Sequence, residues 1–249
     1  MIITKDEKAI KSMQEGGRIL ATILNELKKI CIPGKSTLDI DKKARELFNE
    51  LNAVPSFLGY RGFPASVCTA INEEVVHGIP HGQQIIKQGD IVSVDCGVLY
   101  KGYHTDSAFT ICVGNCSPEA IRLVKETEAA LWEGIKQVKP GNTIGDISHA
   151  IYQHLRNHNI TVIDDLVGHG IGKELHEAPQ VPNVGKKNQG PALKPGMTIA
   201  IEPITCLGKN RIVTIEDDWT IVTADNSLAC QQEHTVLVTK SGYEVLTVL

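Results

Sequence analysis
At 249 residues, a chain of this length can bury one large core or two half-sized ones. Its net charge of −4 and the lack of any Lys/Arg-rich run argue against a basic nucleic-acid footprint. No apolar run approaches the ~18 residues of a membrane span, Met1–Glu7 has no signal-peptide or transit character, and seven scattered cysteines without a C-x-x-C pair read as reduced thiols in a cytoplasmic protein.

Residues 5–31 read as a helix, with Ile10, Met13, Leu20, Ile23, Leu24, Leu27 and Ile30 at three-to-four spacing. Thr4-x-x-Glu7 suggests a capping box, and Pro33-Gly34 ends the pattern. A second helix starts at Ser36 or Thr37 and carries Ile40, Ala44, Leu47, Phe48 and Leu51 on one face. Residues 54–66 are loop-like yet hold Phe57, Tyr60 and Phe63, so they form either a loop pinned to the core or a wall of an apolar pocket. Val67–Pro80 reads as a strand, a polar turn and a second short strand. His77 lies within it and is, taken alone, more readily structural than catalytic.

Ile91–Gly97 and the return through Gly102–Asp106, followed by Phe109, Ile111 and Val113, have the composition of a buried strand pair. Asp95 and Asp106 sit inside it, facing each other across the hairpin. A buried carboxylate is costly without a positive partner, and two of them repel. A metal ion is the simplest compensation.

The second half opens with Ser117-Pro118, a cap with proline at the first helical position, and a helix to about residue 137. Another helix spans about 144–157. Gly168-His169-Gly170 follows; the glycines are expected to give the backbone freedom and to leave the imidazole uncrowded and exposed. It lacks the G-x-G-x-x-G spacing of a phosphate loop. Residues 182–195 read as a surface loop. The last strands are expected over 197–204, about 212–223 with Trp219 inside, and 230–238, where Glu233 places another acid in an apolar strand.

The two halves repeat. Gly89-Asp90-Ile91-Val92-Ser93-Val94-Asp95 matches Gly196-Met197-Thr198-Ile199-Ala200-Ile201-Glu202, and Pro33-Gly34 through Ile40 matches Pro140-Gly141 through Ile147, both at an offset of 107. A diverged duplication follows, with pseudo-symmetric halves of about 5–115 and 116–249 within one catalytic domain. It predicts that Asp95 and Glu202 take equivalent positions near a pseudo-twofold axis. Asp95, Asp106, Glu202 and Glu233 carry four negative charges, which two divalent cations would cancel, with His169 as a neutral nitrogen donor. Such oxygen-rich pairs suit Mn, Co, Fe(II) or Zn and activate water for hydrolysis.

Together, Asn72-Glu73-x-Val75-x-His77-Gly78-Ile79-Pro80, Asp95-x(10)-Asp106, Gly168–Gly172, Ile201-Glu202-Pro203 and Glu233-His234-Thr235 resemble type I methionine aminopeptidases of the bacterial type, over essentially the whole chain. The resemblance implies an α+β "pita-bread" fold: internally duplicated halves, with helices outside a curved antiparallel sheet. It implies removal of the initiator methionine from nascent proteins when the second residue is small, with a metal-bridged hydroxide attacking the first peptide carbonyl. The implied ligands of two divalent metals are Asp95, Asp106, His169, Glu202 and Glu233; an additional monovalent cation is a further expectation. His77 matches a histidine that contacts the substrate backbone. His176 matches one that steadies the scissile carbonyl, and Glu202 is the general-base candidate. Tyr60, Phe63, Cys68, Leu175 and Trp219 are expected to form the methionine pocket, with Phe57 at its entrance.

Phe57, Phe63 and Leu175 depart from the commonest bacterial pattern, which has cysteine, tyrosine and phenylalanine there. The family's eukaryotic zinc-binding extension and type II helical insertion are not evident. A monomeric, cytoplasmic, ribosome-associated enzyme is implied. Proline-specific peptidases share the fold and ligands but carry an additional N-terminal domain. A binding protein of the same fold would be expected to lack ligands that this chain retains.

Overall fold
The computed structural model describes residues 2–249. Helix α1 (Glu7–Ile30) buries Met13, Leu20, Ile23, Leu24 and Leu27 of the predicted stripe and leaves Ile10 and Ile30 half-buried, and helix α2 (Thr37–Glu50) follows. Strand β1 (Val54–Pro55) and a 3-10 turn at Tyr60–Gly62 lead to β2 (Cys68–Ile71) and β3 (Glu74–Val76). The long hairpin β4 (Ile91–Tyr100) and β5 (Tyr103–Cys112) closes the first half. Helices α3 (Pro118–Ile135) and α4 (Ile144–Asn157) open the second. Then come β6 (Thr161–Val162), β7 (Gly168–Gly170), β8 (Glu177–Val181), β9 (Thr198–Ile201), β10 (Ile204–Cys206), β11 (Ile212–Thr214), β12 (Ile221–Thr223), β13 (Ala229–Gln231), β14 (His234–Val238) and β15 (Tyr243–Val245). All the strand pairings are antiparallel.

The duplication is visible in backbone detail. Helices α2 and α4 are both 14 residues long and open with the same capping box, Ser36 with Asp39 and Thr143 with Asp146. Gly34 and Gly141, one offset apart, adopt φ of 90° and 92°, a region that side chains with a Cβ rarely enter. The bonds from Ile86 N to Lys35 O and from Leu193 N to Asn142 O, both 2.8 Å, repeat at the same offset. Each half packs its helices over its own apolar cluster: Leu20, Leu27, Ile40 and Val94 in the first, Leu131, Ile147, Ile151 and Ile199 in the second.

Four local expectations are corrected. Helix α1 is capped by Asp6, whose Oδ1 accepts from Ala9 N at 2.8 Å. Thr4 forms no capping box, because Lys5 N is drawn to Gly196 O at 2.7 Å and holds that segment extended. The stretch 197–204 is two strands, not one: Pro203 has no N–H to continue the ladder, and the chain crosses to another sheet at Glu202–Pro203. Residues 212–223 are a hairpin. Asp217 Oδ1 accepts from Trp219 N at 2.9 Å and Thr220 N at 2.7 Å, which puts Trp219 in the turn instead of a strand. Glu233 lies in the break between β13 and β14, not inside a strand.

The halves join where β5 meets that break. Glu233 N donates to Ala108 O at 3.0 Å, and Ser107 Oγ donates to Glu233 O at 2.6 Å. Asp106 N donates to Thr235 Oγ1 at 2.9 Å, and that hydroxyl donates to Asp106 O at 2.7 Å.

Candidate active site
Asp95 and Asp106 come from the β4–β5 hairpin. They are not directly opposed: Asp95 pairs with Ala108 and Asp106 with Gly97. Two residues of stagger keep both on one face as diagonal neighbours, because side chains alternate along a strand. Glu202 and Glu233 reach the same face from the two strand breaks. Asn183 Nδ2 holds the Glu202 backbone, donating to its carbonyl at 2.9 Å.

His169 enters from β7. It is buried at 7% exposure, against the expectation of an open imidazole. Its flanking glycines serve close approach, not freedom. A Cβ on Gly168 would collide with Ala200 O, and one on Gly170 with Ala178 O, because β7 lies between β9 and β8. His169 Nδ1 is 2.9 Å from Gly170 O. A carbonyl only accepts, so Nδ1 carries the proton. Nε2 therefore presents its lone pair, 3.7 Å from Glu202 Oε1.

These side chains and the expected pocket residues line one cavity of about 400 Å³. Phe57, Tyr60, Phe63, Cys68, Leu175 and Trp219 form its apolar end, with Phe63 and Trp219 edge to face at 5.1 Å. Cys68 pairs with Asp95 across β2 and β4, so the apolar end abuts the acids. His77, at φ 61°, and His176 stand in the same cavity. His176 Nδ1 lies 2.9 Å from the Tyr60 hydroxyl, and its ring is 4.3 Å from that of His169.

Burial dominates the electrostatics. It pushes the Asp95 carboxyl up to about 7, against a weaker opposing pull from Gln231, whose Nε2 donates to Oδ2 at 3.3 Å. Burial first, then repulsion by neighbouring carboxylates, drives Asp106, Glu202 and Glu233 well above the carboxylate range. Asp95 Oδ1 and Glu233 Oε1 are buried with no hydrogen-bond donor. Asp106, His169 and Glu233 offer ligand atoms within 4.8 Å of one another. Orphaned carboxylate oxygens beside a bare imidazole nitrogen fit divalent cations. Partial desolvation in the cavity, then the neighbouring His169 and Arg61, push the exposed His176 down to about 4, so it is neutral near pH 7.

The sequence reading passed over Gln231, which steadies Asp95. It stands two residues before Glu233 in the sequence, at the end of β13, and that proximity is the only signal the sequence offers. It also passed over Arg61 at the cavity wall, whose backbone sits at φ 49°.

Comparison with known proteins agrees with this geometry. The profile of metallopeptidase family M24 matches residues 11–240. The methionine aminopeptidase of Clostridium acetobutylicum is 46% identical over 247 residues, 99% of each chain. The crystal structure of methionine aminopeptidase from Thermotoga maritima, at 43% identity, covers 100% of both chains with a TM-score of 0.99. A prolidase from Pyrococcus horikoshii, at 23% identity, shares the fold alone: TM-score 0.78 over 99% of this chain and 64% of its own. The chain belongs to metallopeptidase family M24, a class of metal-dependent peptide hydrolases with the pita-bread fold. Within that class it falls among the methionine aminopeptidases.

Proposed function
We propose that the chain removes the initiator methionine from nascent proteins whose second residue is small, and that Asp95, Asp106, His169, Glu202 and Glu233 hold two divalent ions for this purpose. One observation carries the reading: a single cavity of about 400 Å³ is acidic and metal-suited at one end and apolar at the other. Mn, Fe(II), Co and Zn all suit this donor set. When bound, such ions supply Lewis acidity toward the first carbonyl and acidify water in the site.

The chain's own groups do the rest. The apolar end takes the methionine side chain, whose thioether packs well against Phe63 and Trp219. The carboxylates favour a protonated or coordinated amino terminus at the other end, which makes the enzyme an exopeptidase. With the Tyr60 hydroxyl donating to Nδ1, neutral His176 carries its proton on Nε2 and offers it to the carbonyl oxygen as negative charge develops there. His77 orients the substrate backbone. Glu202 takes a proton from the attacking water and returns it to the leaving amine. The expected partners are nascent chain ends at the ribosome, met by a cytoplasmic monomer; a monovalent cation is a further expected ligand.

The test compares release of the first residue from Met-Ala-Ser and Ala-Pro peptides by metal-loaded protein, with elemental analysis alongside. Methionine release that Glu202→Gln lowers by about 10²–10⁴ supports the reading. Preferential cleavage of Ala-Pro would defeat the substrate assignment. Unchanged turnover by Glu202→Gln would defeat its role.

A further inference from the structure
Away from the cavity, helices α3 and α4 bring together three side chains that the reaction does not use: Glu126, His154 and His158. His154 and His158 lie four residues apart, so their rings stack, with centroids 4.4 Å apart. Glu126 reaches both from α3. Its Oε2 is 2.9 Å from His154 Nε2 and 3.4 Å from His158 Nε2. In a tetrahedral shell with bonds of about 2.0–2.1 Å, neighbouring donor atoms lie about 3.3 Å apart, between those two values.

The tautomer of His158 sharpens the point. Its Nδ1 lies 2.8 Å from His154 O, which only accepts, so that nitrogen carries a proton. The neutral ring then turns a bare Nε2 toward the Glu126 carboxylate. Two acceptors so close repel unless a proton or a metal ion lies between them.

The duplication supplies an independent comparison. The offset of 107 puts Ile19, Leu47 and Leu51 at the equivalent positions in the first half, and all three pack in one apolar cluster there. The helix pair therefore packs with hydrocarbon alone at these positions. In the second half all three positions carry metal-ligating groups instead.

We propose that Glu126, His154 and His158 form a second, non-catalytic site for a divalent transition-metal ion such as zinc, with water completing the shell. One carboxylate and two imidazoles are a common zinc donor set. The side chains are partly exposed, so the ion can enter, and the C-terminal end of α4, where His158 is the cap, favours positive charge. Two cations oppose it. Arg122 Nη1 donates to His158 O at 2.6 Å, and Lys125 Nζ lies 3.8 Å from Glu126 Oε1. Both hold the affinity below that of a cluster without such neighbours. Bound metal would rivet the end of α4 to the middle of α3.

The test uses protein already saturated at the catalytic centre, titrated with zinc chloride at pH 7 and followed by imidazole NMR and by zinc retained after gel filtration. The expected result is that the His154 and His158 ring nitrogens shift and stop titrating with pH. The wild type should retain one zinc equivalent more than His154→Gln/His158→Gln, Glu126→Gln should bind at least tenfold more weakly, and turnover should be unchanged in all three. Should the double substitution impair folding, the wild-type NMR titration alone decides. If both rings titrate identically with and without zinc, or zinc retention is equal, the cluster is a proton-bridged pair and the proposal is overturned.

Discussion
The chemistry reduces to a few groups whose protonation is set by surroundings. His176 is exposed in the cavity and abutted by Tyr60, and partial desolvation keeps it neutral near pH 7. If His176 donates to the carbonyl oxygen as proposed, His176→Ala should lower kcat by about 10²–10³ while metal content is retained; steady-state kinetics with elemental analysis checks this. Lys5 and Glu177 form a buried pair at 2.6 Å, and Glu177 directly follows His176. Lys5→Ala leaves a carboxylate without its partner and should cost about 3–5 kcal/mol of stability by denaturant unfolding. His234 is half-buried beside Trp132, with Nδ1 2.9 Å from Thr247 Oγ1, and desolvation of its ring holds it down at about 4. The unfolded chain binds this proton near 6.5. Between those values unfolding takes up a proton, so this group's contribution to stability falls as pH drops from 6.5 to 4. His234→Gln should remove that part of the acid lability, measured as Tm against pH.

At the scale of elements, sequence periodicity sufficed where local rules were unopposed. Helix α2 was legible because apolar spacing and a capping Ser36 or Thr37 agreed, and α1 and α3 because their patterns stop at Pro33-Gly34 and Pro140-Gly141. The hairpin and its two acids were legible because charge in an apolar run is anomalous. Tertiary competition hid the rest. Lys5 chose the backbone of Gly196 over a capping role for its neighbour. Trp219 fell into a turn because Asp217 could bond two backbone donors ahead of it. Glu202 and Glu233 looked like strand residues, since an apolar run does not reveal where it changes sheet. The glycines around His169 were recognised, but their cause was interstrand contact that the sequence does not display. Gly170→Ala should therefore displace β7 from β8, lowering stability by several kcal/mol and metal affinity with it; thermal unfolding with and without added Mn(II) reads both.

Over the whole molecule, the acid cluster makes stability depend on metal and pH together. Without cations, the folded Asp95 carboxyl sits at about 7, against an unfolded value near 3.9. Asp106, Glu202 and Glu233 shift in the same direction. Between the two values the folded state binds more protons, so these groups' contribution to stability falls as pH rises. Chelated protein should lose about 5 °C or more of Tm between pH 5 and 8, and metal-loaded protein should lose less. Equal pH profiles for the two forms would mean that the carboxylates are neutralised by something other than a cation.

The seam from Asp106 to Ala108 and from Glu233 to Thr235 has a mechanical corollary. Asp106 and Glu233, two of the proposed ligand residues, also stitch the duplicated units together through their backbone, so ion release and parting of the units are expected to share a free energy. Amide protons along that line report the coupling: hydrogen exchange at Asp106, Ala108 and Glu233 should accelerate as the ion is withdrawn, while the centres of α2 and α4 stay protected. An ion recruited to break peptide bonds would thereby also govern how firmly its own scaffold is fastened.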